Sequence, residues 1–560
     1  MKQKKDNKAK KWLIAGAIVV GISILLFVGL HVFNLWFQRK LEQTVHEQSK
    51  GVYSLELFGF ETSPFVGAVS VDSLALVPDF DKWKELKKRR QDVSATLLEL
   101  KSKSINLNSL SFFKMLFKNN VDLGSLVIDQ PQLQLTTMLK DTTTQQKPLH
   151  ETAGGLLKNL HIGTIKAINA NLSYRDAIKK QNDILKLNKF NLTVEDFKLD
   201  SASFNDKNRA YYSRNIKVLA KSSFFNIPND YYSITTDSVV LSTKNESFIA
   251  NNIIFKPTMG PRALSKAKGR ATTHIKLDVS LFKITGLNYP RHSRTNDFFA
   301  QHILISKPNL AGFKDKQNFT DKGSKPLPHD LAQNAKGLFG IQKIEVRDGY
   351  GKYEELAPAA NTTGIIYFTG FSCTMQNITN VPAQMSRKKP ATIKANAMLM
   401  GKTPINATLR IPLLDKNGYH TLQGNIGSGG PQMLNPILVP TNFIKVDKGY
   451  VQSIRFDVTL NRRKATGSMR ALYQNLEIEL LSKGAESGED QGFGKKIISK
   501  AADWFLIENS NPDKKGEKPR VARISVARRQ ERSFITYWKD CIAMGLMASM
   551  GLEKMAESKF

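Results

Sequence analysis

The chain has 560 residues, with 82 Lys and Arg against 49 Asp and Glu, a formal charge of +33. That charge leaves three readings open: nucleic acid, an anionic membrane surface, or plain solubility. No nucleic-acid-binding motif with workable spacing is present, and two cysteines, Cys373 and Cys541, exclude a disulfide scaffold.

Residues 1–12 form a basic N-terminus with six lysines among the first eleven positions. Leu13 to Phe37 follows as 25 uncharged residues, ~37 Å at helical rise, enough to cross a bilayer. Its length, and its ending in Asn34-Leu35-Trp36-Phe37, fit an uncleaved anchor better than a cleaved signal, with Trp12 and Trp36 near the two interfaces. The lysines favour a cytoplasmic N-terminus, which puts 38–560 on the far side of the inner membrane, where anionic lipid is a more accessible partner than nucleic acid.

Beyond the anchor, short stretches of alternating apolar residues predict strands at Ser70 to Leu76, Val121 to Leu135, Ile162 to Tyr174, Leu185 to Leu199, Tyr232 to Leu241, Phe248 to Phe255, Ala391 to Leu399 and Val451 to Leu460. Pro78, Pro131, Pro257 and Pro308 recur beside them and mark a strand end, an edge or a bulge. Helical signals are few. Trp83, Leu86, Val93, Leu97 and Leu100 space like one basic amphipathic helix, and Ile497 to Ile507 like a second. A third is expected over Ser533 to Ala556, with Phe534, Trp538, Cys541, Ile542 and Leu546 on its apolar stripe and Met544, Met547, Met550 and Met555 widening it. That helix suits either an acidic membrane surface or the end of the β-body. The two cysteines read as buried thiols, with a bridge between them left open.

One part of the body is a copy of another. Leu74, Leu76 and Pro78 correspond to Ile253, Phe255 and Pro257; Ile105, Leu126, Ile128, Pro131 and Leu133 to Phe282, Ile303, Ile305, Pro308 and Leu310; Ile162, Ile165 and Tyr174 to Ile341, Ile344 and Tyr353. What recurs is an apolar pattern, not a set of reactive side chains, so a duplicated multi-strand module is expected. The expected divisions are 1–12, the anchor 13–37, a first β-rich module 38–240, a second 241–390, a C-terminal β-region 391–485, and a basic segment with amphipathic helices 486–560.

Motifs for catalysis are missing. The sequence has no His-Glu-x-x-His, Gly-x-Ser-x-Gly, Walker-type loop or Cys-x-x-Cys, and its nine histidines lack metal-ligand spacing. No enzymatic activity, cofactor or metal is expected. What stands out is apolar-faced sheet in excess of the helices available to cover it. Such a sheet must curl on itself or offer that face to a ligand, for which an acyl chain is the chemical match.

The ordered set of the N-terminal anchor, Ser125 to Leu133 with its copy around Pro308, Ile162 to Asp176 with its copy Ile341 to Glu354, Leu434 to Leu438, Asp447 to Val451 and Ala465 to Tyr473 resembles the AsmA-like family of Gram-negative bacteria. That family belongs with TamB to the bridge-like lipid-transfer group. The resemblance implies a single-pass inner-membrane anchor and a curled periplasmic β-groove that passes phospholipid toward the outer membrane, with no catalytic residues. Roughly 25 strands at ~4.8 Å give a groove of ~120 Å, which implies an outer-membrane or periplasmic protein partner. The residues expected to line it are Leu123, Leu126, Ile128, Leu133, Ile303, Ile305 and Leu310. The rival expectation is a non-enzymatic envelope scaffold with a closed β-core.

Overall fold

The computed structural model describes residues 28–91, 93–111, 114, 120–139, 148–152, 160–178, 183–227, 231–481, 507–514 and 516–559. Trp12, residues 13–27 of the expected anchor and most of the helix expected at Ile497 to Ile507 lie outside them. The chain is mainly β, 51% strand and 20% helix, and its strands form mixed parallel and antiparallel pairings. It divides into two compact units, one of residues 1–226 with 238–244 and the other of 227–237 with 245–560.

In the first unit, β1 (Tyr53–Phe58) and β2 (Glu61–Ser63) are two parts of one strand line, as are β3 (Ala68–Val71) and β4 (Ser73–Pro78), β5 (Thr96–Ser102) and β6 (Ser104–Asn108), and β7 (Asp122–Asp129) and β8 (Gln132–Thr137). These lines run antiparallel to one another in order. The last of them then lies parallel to β9 (Leu160–Asp176). Antiparallel β10 (Leu185–Leu199) and β11 (Asn215–Asn226) follow. The next line splits at Asp237: β12 (Tyr232–Thr236) pairs within the second unit and β13 (Ser238–Ser242) pairs with β11 in the first.

The second unit repeats that succession. After β12 come antiparallel β14 (Ser247–Pro257), β15 (His274–Thr285) and β16 (Phe298–Asp315). Then β16 pairs parallel with β17 (Phe339–Leu356), at the position where the β7–β8 line pairs parallel with β9. Antiparallel β18 (Gly364–Thr379), β19 (Ala391–Leu399), β20 (Thr403–Ile411), β21 (His420–Ile426), β22 (Ile444–Leu460), β23 (Lys464–Leu480) and β24 (Ala522–Ala527) complete it.

Eight strand lines are creased near the middle. Gly59, Gln130, Asn169 and Lys189 in the first unit, and Asn252, Lys307, Asp348 and Gly370 in the second, adopt left-handed φ within strand lines. Register shifts of the β-bulge kind accompany Asn169, Lys189, Asp348 and Gly370, and apolar side chains spaced by two step by three at the crease and stay on one face. Ala167 and Ala170 illustrate this: they flank Asn169 and share one apolar cluster. Pro131 and Pro308 each follow a crease residue, where a missing N–H costs no ladder bond, while Pro78 and Pro257 end β4 and β14.

Several helices of the described residues pack on the sheet, Asn435–Asn442 against β18 and β22 among them. α1 (28–48) lays Phe33, Phe37 and Leu41 on a cluster that includes Leu57, Phe60, Val69, Leu123 and Ile162. α2 (Phe80–Lys88) is capped by Asp79, which accepts from Asp81 N and Lys82 N, and buries Trp83 and Leu86. α3 (Phe534–Ser549) is capped by Ser533, which accepts from Thr536 N.

Two helix expectations need correction. The helix expected from Trp83 to Leu100 stops at Lys88, and Arg90 turns left-handed. Leu97 and Leu100 belong to β5, paired with β8. The misleading spacing arose because Trp83, Leu86 and Leu97 meet in one cluster from two different elements. The helix expected over Ser533 to Ala556 breaks at Met550 and Gly551, where Gly551 takes a left-handed φ, before a short helix Glu553–Lys559. Cys541, Met544 and Met547 are buried as expected, Phe534 and Leu546 are half-buried, and Tyr537 and Gly545 join the buried stripe unanticipated.

Candidate functional site: a one-sided apolar face

Strand register sorts side chains into rows across each unit. In the first, Val69, Leu107, Leu126, Ile165, Val194 and Ile216 are successive partners, and Val71, Ile105, Ile128, Ala167, Leu192, Val218 and Leu241 form the next row. Beyond the crease, Leu76, Leu100, Leu133, Leu172 and Leu187 form a third. The row between the first two is polar, Ser70, Asn106, Lys166, Thr193 and Lys217, with Val127 as its apolar exception. Alternation along each strand therefore yields one greasy and one watery face.

The second unit does the same over more strands. Phe248, Ile284, Ile303, Ile344, Met375, Ile393, Leu409, Leu422 and Val458 are consecutive partners, leading to Gly467 and Ile524. Ala250, Phe282, Ile305, Val346, Cys373, Ala395 and Ala407 lie alongside. The intervening row is again polar, from Lys283 through Glu345, Thr374, Lys394, Thr408, Gln423, Asp457 and Ser468 to Arg523, with Leu304 as its apolar exception.

The residues singled out from sequence fall within this pattern. Leu126, Ile128 and Leu133 occupy the apolar rows of the first unit and are half-buried. Leu123 pairs with Ile162 and is buried in the cluster against which Leu126 and Ile128 pack. Ile303 is buried, Ile305 half-buried, and Leu310 is 43% exposed, partnered by Leu277 and Gly351. Cys373 and Gly351 stand in the same rows and were not anticipated; a Cβ added at Gly351 would meet nothing within 4 Å.

How the face is covered differs along the chain. The cluster of Ala167, Ala170, Phe190 and Ala220, with Leu133, Leu172, Leu187, Leu192, Val218 and Val239 packed on it, is built from strand residues alone. At β22 to β24, by contrast, α3 lies directly on the face. Gly545 sits so close that a Cβ there would meet Met469 Cε at 2.8 Å and Ile524 Cδ1 at 3.1 Å. Val458, Leu460, Met469 and Ile524 are fully buried as a result. α3 thus covers the apolar face itself, not a strand edge.

Polar groups lock this geometry. His161 Nδ1 lies 3.0 Å from Asp122 Oδ1 and its Nε2 3.1 Å from Asp196 Oδ1, joining β7, β9 and β10. The ammonium of Lys114, hydrogen-bonded at 2.8 Å, holds the Asp122 carboxyl below its usual range despite partial burial. Under α3, Trp538 Nε1 donates to His420 Nε2 at 3.0 Å, while His420 Nδ1 is 2.8 Å from Gly418 O. Accepting from an indole requires a neutral imidazole, and burial pushes His420 down to about 4. Both thiols are free and buried, with Cys373 raised to about 11 and Cys541 to about 12 by burial.

Among the described residues no group of three or more His, Cys, Asp and Glu is placed to hold a metal ion, and no helix is long and apolar enough to cross a membrane. Trp36, on α1, is 52% exposed. No protein-family model matches the chain, and no curated protein is significantly similar to it.

Proposed function

We propose that this chain is an inner-membrane-anchored envelope protein that shields or conducts phospholipid acyl chains along the apolar face of its sheet, in the manner of the AsmA-like family. The carrying observation is the cluster of Leu133, Ala167, Ala170, Leu172, Phe190 and Val218: among the described residues it is built from strands alone, and Leu133, Leu172 and Val218 stay half-buried. Apolar side chains left partly in water gain about 25 cal/mol per Å² when hydrocarbon covers them, so an acyl chain laid across these rows is bound without any cofactor. The polar face, rich in lysine, keeps the other side in water.

A rival reading, a non-enzymatic scaffold with a closed core, draws on the dry cluster around Leu460, Met469 and Met544. Photo-cross-linking separates the two. A photoreactive side chain at Leu126 or Leu310 in the full-length protein should label phospholipid in cells. Ile128→Asp with Ile305→Asp should abolish that labelling while the far-ultraviolet circular dichroism of the protein stays unchanged. Labelling that survives both aspartates in a folded protein would reject an acyl-conducting face.

A further inference from the structure

The most exposed large apolar residues of the first unit stand apart from the rows just described. Phe65 is 89% exposed and Val66 71%, at the tip of the turn between β2 and β3, whereas Thr62 and Val69 on either side are buried. The turn is fixed, with Val66 N donating to Ser63 O at 3.2 Å and Leu110 N to Gly67 O at 2.7 Å. Gly67 is left-handed and lies so close to Leu110 that a Cβ would meet its O at 2.6 Å. Phe65 and Val66 are thereby held outward on a braced support.

α1 runs beside this tip. Phe37 packs tilted against Phe60 with ring centroids 5.8 Å apart, and Asn34 Oδ1 accepts from Thr62 N at 3.1 Å. Gln38 Nε2 donates to Leu57 O and Asn34 meets Thr62, so α1 runs along β1 and β2 toward the turn, and from Asn34 it continues to Val28, roughly 9 Å at 1.5 Å per residue. Its free side carries Val28, Val32, Leu35 and Trp36, all exposed, followed by exposed Arg39 and Lys40. Hydrocarbon, then indole, then cations is the order in which a leaflet presents acyl chains, interface and anionic headgroups. The uncharged run that begins at Leu13 leads into the same helix.

We propose that the β2–β3 tip is a membrane wedge: Phe65 and Val66 insert into the leaflet beside α1, seating the first apolar rows at the bilayer surface. This rests on the lipid reading above and names its point of entry. A scattered exposed apolar residue needs no explanation, but here two adjacent ones stand on a braced turn of a hairpin that is hydrogen-bonded to a helix with an exposed apolar side.

The test uses the full-length chain with Phe65→Cys carrying an environment-sensitive nitrobenzoxadiazole label, reconstituted in vesicles of phosphatidylethanolamine and phosphatidylglycerol. Cys373 and Cys541 are buried, so the new thiol is labelled selectively. The expected result is blue-shifted emission that is lost when doxyl-labelled lipid is included, with no such loss for a label at Leu331→Cys, an exposed position on another element. Water-like emission from vesicle-bound protein would overturn the wedge, and blue-shifted emission untouched by doxyl lipid would overturn it in favour of a protein partner or second copy. Water-like emission at 65 alongside intact lipid labelling at Leu126 removes the wedge alone. Quenching at 65 without any labelling at Leu126 keeps the wedge and removes the transfer reading.

Discussion

The strands β8 to β11 and the strands β22 to β24 are written in the same alternating code yet end in different states. Phe190 and Ala220 pack only against other strand residues, whereas Met469 and Ile524 lie under Tyr537, Met544 and Gly545 of α3. The strands themselves do not differ in kind; the presence or absence of a covering helix separates the two regions. Where α3 brings a small residue to the contact, Met469 and Ile524 are fully buried; in β8 to β11, where the described residues supply strand side chains alone, Ala170 and Phe190 are buried but Leu133, Leu172, Leu187 and Val218 stay half-buried.

The largest expected effect breaks or sharpens this contrast directly. Ile524→Asp places a charge where there is neither water nor a partner and should cost more than about 4 kcal/mol, enough to unfold the C-terminal strands. Ile128→Asp, at a half-buried site, should cost roughly 2 kcal/mol or less. Urea denaturation followed by circular dichroism measures both, and equal costs would erase the distinction between the two regions.

Acid should loosen the covered end first. The folded state holds His420 neutral down to about 4, while the unfolded chain protonates it near about 6.5, so stability is full above that pH and falls as pH drops between the two values. His329, also buried, shifts in the same direction. The loss is on the order of 3 kcal/mol for His420 at most, and His420→Gln should flatten the profile between about pH 6.5 and 4. Hydrogen exchange at β24 and α3 across that range reports it, and an unchanged slope in the variant would assign the acid response elsewhere.

Glycines give a paired test of intermediate size. Gly467→Ala would drive a Cβ to 2.1 Å from Asp457 O and should cost about 2 kcal/mol or more. Gly351→Leu meets open space and should change stability by less than about 1 kcal/mol, while reducing lipid labelling at its partner Leu310. A strongly destabilised Gly351→Leu would mean that the face there is already filled. The smallest effect belongs to the ion pairs on α2: Lys84→Ala, which removes the contact with Asp81, should alter the melting temperature within error, as a solvated face requires.

Much of this fold was legible because period-two alternation is strong: β10 and β19 begin and end where alternation placed them, at Leu185 and Leu199 and at Ala391 and Leu399. The duplicated blocks pointed to the two sets of strands that share one order of pairings, including the parallel contact. The creases were not read. Their signal was present as a single step of three in an otherwise alternating run, at residues such as Asn169, Asn252 and Asp348, types that tolerate left-handed φ. α2 and β5 merged because a short helix and a strand delivered Trp83 and Leu97 to one cluster at helix-like spacing. Which rows α3 covers was illegible in principle, since strand alternation cannot encode which distant segment lies on it.

The most direct measurement is native mass spectrometry of the full-length protein extracted in mild detergent. The expected spectrum carries phospholipid adducts on the wild-type chain and none on the Ile128→Asp, Ile305→Asp double variant. A bare wild-type mass under conditions that preserve non-covalent lipid, or adducts undiminished in the double variant, would contradict the proposal that the apolar rows hold acyl chains.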